Sequence, residues 1–203
     1  MSMDMIVYIK DFNNITNEDC EKYLIQFGLD TKIHPDTDFK TQTGFLPFRV
    51  EFPLIDDLKG KAFISGFEFF SEAYDFQQDL AKVKELQKAP PKKGGGLFGL
   101  FKQKNIVPEE IKEDIQCFVV DPDVDNVLKE CNYSLLLCSH NMDELIVAMA
   151  VTIYLAETGN GVVLNPQTGD YFYKDINQEL SEQIKWMFTD LEPETLRPFE
   201  GWS

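Results

Sequence analysis

Ser139-His140-Asn141-Met142-Asp143-Glu144-Leu145-Ile146-Val147-Ala148-Met149-Ala150-Val151-Thr152-Ile153-Tyr154-Leu155-Ala156-Glu157 is the stretch on which the fold turns. Ser139 or Asn141 is placed to cap a helix, and Asp143 and Glu144 occupy its first turn, where the helix dipole favours acids. From Ile146 to Ala156 the pattern is apolar nearly all round, so this helix is expected to be central and covered on several sides. Gly159-Asn160-Gly161 ends it. The apolar run from Leu145 to Ala156 is too short to span a bilayer and contains Thr152.

Working outward, Val162-Val163-Leu164 predicts a strand, Asn165-Pro166-Gln167-Thr168-Gly169 a turn, and Tyr171-Phe172-Tyr173 the returning strand. An amphipathic helix follows over 176–188 with Leu180, Ile184, Met187 and Phe188 on one side, and then an acidic, proline-containing tail. Before the central helix, Tyr133 to Cys138 and Cys117 to Val120 read as buried strands, with Asp121-Pro122-Asp123-Val124-Asp125 between them. Pro108-Glu109-Glu110 suits a helix start.

In the first half, Met5 to Ile9 predicts a strand rich in β-branched residues. Thr16 is placed to cap a helix carrying Cys20, Tyr23, Leu24 and Phe27 at helical spacing, with Gly28 at its end. Thr31 to His34 predicts a second strand before the turn Pro35-Asp36-Thr37-Asp38. The alternating runs through Phe48 and over Ala62 to Phe70 predict a hairpin across Asp56 to Gly60. Within it, Glu68 is expected at a sheet edge or paired with Arg49. Asp75 to Lys88 predicts a polar helix.

The order predicts an α+β fold, a mixed or mainly antiparallel sheet packed by several helices, over residues 1–203 as a single domain. Residues 89–105, with two prolines, a triple glycine and several lysines, are expected to be a flexible insertion loop. Its Leu97, Phe98, Leu100 and Phe101 either fold back onto the body or form a sticky arm for a partner.

Charge narrows the partner class. The chain carries 19 Lys and Arg against 35 Asp and Glu, a net charge of -16. Eight of the basic residues fall between Lys82 and Lys112, leaving 11 basic against 32 acidic residues elsewhere. Such a body repels phosphate backbones and anionic lipid and attracts basic surfaces, so neither nucleic acid nor stable membrane association is expected. Cys20, Cys117, Cys131 and Cys138 form no CxxC pair and are expected to be reduced thiols. The N-terminal MSMDMIVYIKDF carries Asp4 and only a short apolar run, unlike a signal peptide, and a cytoplasmic location is expected.

No motif makes a strong case for catalysis. His34 and His140 are the only histidines, neither in a metal-ligand spacing. The Asp36, Asp38 turn and the Asp121, Asp123, Asp125 run resemble pieces of calcium loops but lack the closing glutamate, so no metal and no cofactor are expected. Ser139-His140 at a strand-to-helix junction is the best active-site lookalike, with Asp143 or Glu144 as partner to the imidazole. Yet GxSxG is absent, and helix capping accounts for the serine.

Three pieces, Gly44-Phe45-Leu46-Pro47, Ser65-Gly66-Phe67-Glu68 and Val162 to Gly169, resemble in their order a set of small bacterial proteins. Proteins of that kind are often encoded beside polymorphic or contact-dependent toxins, where small acidic proteins serve as immunity factors. The resemblance implies a binding protein that neutralises a basic toxin by occluding it, and it brings no catalytic residues. Candidate contacts are Asp121, Asp123, Asp125, Asp36, Asp38, Asp190, Glu192 and Glu194, with Phe98 and Phe101 on the arm. A small hydrolase using His140, or an adaptor using residues 92–102, are the alternatives.

Overall fold

The computed structural model describes residues 3–88 and 121–202, and side chains over 83–88 are outside that description. The expectations for the 89–105 loop, Phe98, Phe101, the Pro108 helix start, Cys117 and the strand to Val120 lie outside the described residues. The fold is α+β, as its sequence pattern predicts. Its sheet is antiparallel at every described pairing.

The described strands are β1 (Met3–Ile9), β2 (Asp30–Ile33), β3 (Thr43–Glu51), β4 (Ala62–Ala73), β5 (Tyr133–Ser139), β6 (Val162–Asn165), β7 (Asp170–Phe172) and β8 (Arg197–Pro198). They form one sheet in the order β2-β3-β4-β5-β1-β6-β7, so both halves of the chain contribute. The long β4 changes neighbours along its length. Its second half, from Glu68, pairs β5, while Phe63 and Ile64 pair the short β8.

Alternation sorts the side chains onto two faces. Met5, Val7 and Ile9 of β1 point the same way as Leu135 and Leu137 of β5, and as Phe63, Phe67 and Phe69 of β4. On this inner face lie α1 (Asn17–Leu24), α4 (Met142–Thr158) and α5 (Ile176–Thr189). Every residue of α4 from Asp143 to Ala156 is buried. The sheet lies against it and α1 and α5 pack against it, which is why no polar stripe is needed. On the outer face, α2 (Phe76–Lys88) and α3 (Pro122–Leu128) form a smaller cluster: Phe76, Leu80, Val124 and Leu128 with Val162, Tyr8, Tyr74 and Tyr171.

Local signals are obeyed at most ends. Thr16 caps α1 by accepting from the Asp19 N–H at 3.1 Å, and a 3-10 turn then closes at Gly28, φ 77°. Asp75 accepts from the N–H groups of Gln77 and Gln78, starting α2. Two expectations are corrected. Ser139 is the last residue of β5 and does not cap α4; its hydroxyl donates to the Met3 carbonyl at 2.9 Å. Asn141 holds the cap position without a side-chain bond of its own to the helix N–H groups, and Glu144 closes the turn by accepting from the His140 N–H at 2.8 Å. Glu68 is neither at an edge nor paired with Arg49. It is exposed on the central strand β4, and Arg49 instead pairs Glu51, two residues along its own strand face. Among the described residues no helix is long and apolar enough to cross a membrane.

The three motif pieces are structural neighbours. Leu46 faces Phe67 and Pro47 faces Gly66 across the β3–β4 pair, so the first two pieces are register partners. The third is β6 and its turn into β7. There the Gln167 carboxamide, oriented to satisfy both groups, donates to the Asp4 carbonyl at 3.0 Å and accepts from the Asp4 N–H at 2.8 Å.

Candidate functional site

Two open concavities and the helix junction after β5 are the places on the described surface where a site could be built. The first concavity, about 590 Å³, sits past the C-terminal end of α4 and is lined in part by Asp123, Glu130, Glu157, Asp175 and Lys174. The chain reaches it through strained backbone: Asn160, Lys174 and Asp175, at φ 50°, 60° and 53°, are the described non-glycine residues in the left-handed region. Asn and Asp tolerate that region, whereas Lys174 is held there by its surroundings.

Most carboxylates of this first concavity are engaged. Lys174 Nζ lies 2.7 Å from Asp123, and Lys10 Nζ 3.2 Å from Glu130. Glu157 accepts from the Tyr23 hydroxyl, which in turn accepts from Asn177 at 3.0 Å. Burial, reinforced by the Glu157 charge, holds the Tyr23 hydroxyl well above its ordinary value, so it stays a donor.

The second concavity, about 780 Å³, opens beside β3, β4 and β8. His34, Phe45, Pro47, Ile64 and Trp202 supply its walls, with Asp36 and Glu200 among its polar groups. The Trp202 ring meets His34 edge to face at 5.0 Å and Phe199 at 4.8 Å. Phe45, from the first motif piece, is 45% exposed here. The imidazole is oriented by its own turn, since His34 Nδ1 accepts the Asp36 N–H at 3.2 Å.

The Ser139–Glu144 junction is built as a helix start. The Ser139 hydroxyl is buried and bonded to Met3, the Glu144 carboxylate is bonded to the His140 N–H and to Asn141, and no hydrogen bond joins Ser139 to His140. His140 lines neither concavity. The neighbouring Cys138 faces Asp4 on one strand and Glu68 on the other. Burial and these carboxylates push its thiol up to about 11, the opposite of what a nucleophile needs.

The predicted contact residues are dispersed. Asp121 caps α3 by accepting the Asp123 N–H at 2.9 Å, Asp123 borders the first concavity, and Asp125 is 1% exposed. Asp125 therefore cannot meet a partner at the surface, because the helical turn that exposes Asp121 and Asp123 rotates it inward onto the sheet. Asp36 borders the second concavity; Asp38 is exposed and accepts the Lys40 N–H in the same loop. Asp190, Glu192 and Glu194 are exposed around a 3-10 turn over Pro193–Thr195 and line neither concavity. Among the described residues no group of three or more His, Cys, Asp or Glu could hold a metal ion. The Trp202 groove is not legible in the sequence because its walls come from residues 34, 45, 47, 64 and 202, which share no local pattern. No family model matches the chain, and no curated protein or solved structure matches it.

Proposed function

We propose that this is a non-catalytic binding protein of the cytoplasm whose partner is a basic protein, most concretely an immunity protein that occludes a cognate toxin. The observation that carries this reading is the charge of the concave surface. Asp36, Asp123, Glu130, Glu157, Asp175 and Glu200 line the two concavities against the single lysine Lys174. Concave surfaces of one sign focus the field and steer an oppositely charged partner into encounter. The immunity assignment itself rests on the order of the three motif pieces and on the acidity of the whole chain. The engaged Ser139 hydroxyl and the raised Cys138 thiol argue for binding over nucleophilic chemistry at the junction.

The test is affinity capture of the tagged protein from its native cells at low and moderate salt, followed by kinetics with the purified partner. A stoichiometric basic protein, inhibited on binding, with association that slows as salt rises, is the expected result. An empty capture at both salts, or a partner whose association ignores salt, overturns the reading.

A further inference from the structure

We propose that the Trp202 groove is the seat of an arginine side chain presented by the basic partner. This rests on the binding-protein reading and adds the contact chemistry. Three observations converge on it. The groove exposes aromatic surface, Phe45 and Trp202 together with the His34 ring, in a position where β3 could as well have carried a polar residue. Trp202 packs nearly perpendicular to the His34 and Phe199 rings, which holds its ring in place before any partner arrives. The groove's carboxylates, Asp36 and Glu200, join no ion pair among the described residues, whereas Asp123, Glu130 and Glu157 of the other concavity already have donors.

Aromatic faces beside uncommitted carboxylates are complementary to a cation with a flat, weakly hydrated head. Guanidinium fits better than ammonium, because it stacks on an indole while its N–H groups reach carboxylates in the same plane. An arginine buried against a tryptophan is also the side-chain pairing that commonly anchors protein interfaces.

The experiment is an NMR titration of the full chain, following the Trp202 indole N–H and the amides of His34, Phe45 and Leu46. The probes are the blocked peptide Gly-Leu-Arg-Leu-Gly and its lysine and citrulline counterparts. The arginine peptide is expected to shift these signals saturably, the lysine peptide to bind about fivefold more weakly, and citrulline not at all. Trp202→Ala and the double variant Asp36→Lys/Glu200→Lys should each abolish the response, the second at exposed positions that leave folding intact. Equal response to citrulline, shifts centred on Asp175, or no saturable shift overturns the inference. Capture separates it from the parent reading. A partner held equally by wild type and by Asp36→Lys/Glu200→Lys removes the groove but keeps the binding protein. An empty wild-type capture removes the binding protein and leaves the titration to judge the groove.

Discussion

The Ser65 hydroxyl donates to Asp143 Oδ2 across 2.7 Å, joining β4 to the first turn of α4 between two buried residues 78 positions apart. It marks the place where β4 exchanges β5 for β8 as its neighbour, since β5 ends at Ser139 and the chain turns under the sheet into α4. Asp143 also benefits from the helix N-terminus.

Removing the donor leaves a buried carboxylate short of a partner. Ser65→Ala is expected to lower stability by about 2 kcal/mol, in the range for a hydrogen bond to a charged group. Asp143→Ala in the Ser65→Ala background should add less than it does alone, a coupling read by urea denaturation of the four members of the cycle.

Gly66 adopts φ 151° opposite Pro47, and a Cβ there would lie 2.2 Å from the Leu46 carbonyl oxygen. Backbone cannot yield as a flexible side chain can. Gly66→Ala is expected to cost about 3 kcal/mol, combining left-handed strain with overpacking, and to appear as a lowered thermal midpoint.

Tyr154 binds the α1 cap from both sides: its hydroxyl accepts the Thr16 N–H at 3.0 Å and donates to the Thr16 carbonyl at 3.1 Å. Tyr154→Phe keeps the ring contact with Tyr23 but strands the Thr16 N–H, while the Thr16 carbonyl keeps the Cys20 N–H at 3.0 Å. A loss of about 1–2 kcal/mol is expected, with hydrogen exchange accelerating first in α1.

The acidic run on α3 should divide by burial. Asp123→Ala removes an exposed ion pair with Lys174 and is expected to change stability by less than about 1 kcal/mol. Asp125→Ala, at a buried position, is expected to cost about 2 kcal/mol and to show it in denaturant midpoint.

Alkaline pH should unfold the chain before it affects an ordinary acidic protein. Burial pushes the Cys131 thiol and the Tyr171 hydroxyl up to about 12 each, and Cys138 up to about 11. The folded state thus binds these protons more tightly than the unfolded chain, where thiols titrate at about 9 and phenols at about 10. Stability is full below those unfolded values and is lost as pH climbs from there toward 12. Denaturation across that window checks it, and Cys131→Ser should flatten part of the slope.

Local signals in the sequence were enough for many of the elements, but not for helix α3 over Pro122–Leu128, read only as an acidic run between strands, nor for the short β8. The Thr16 cap, the alternation from Phe48 and the apolar Ile146–Ala156 run each state their structure through contacts within a few residues, and all three are realised. What sequence spacing left open, tertiary structure decided. That Glu68 lies mid-sheet, that Asp125 points inward while Asp121 and Asp123 point out, and that Ser139 bonds Met3 depend on which strand lies beside which. The Trp202 groove is the clearest case. Periodicity reports one element's exposed side, but a surface shared by a loop, two strands and the chain's last residues exists only once long-range pairing brings them together.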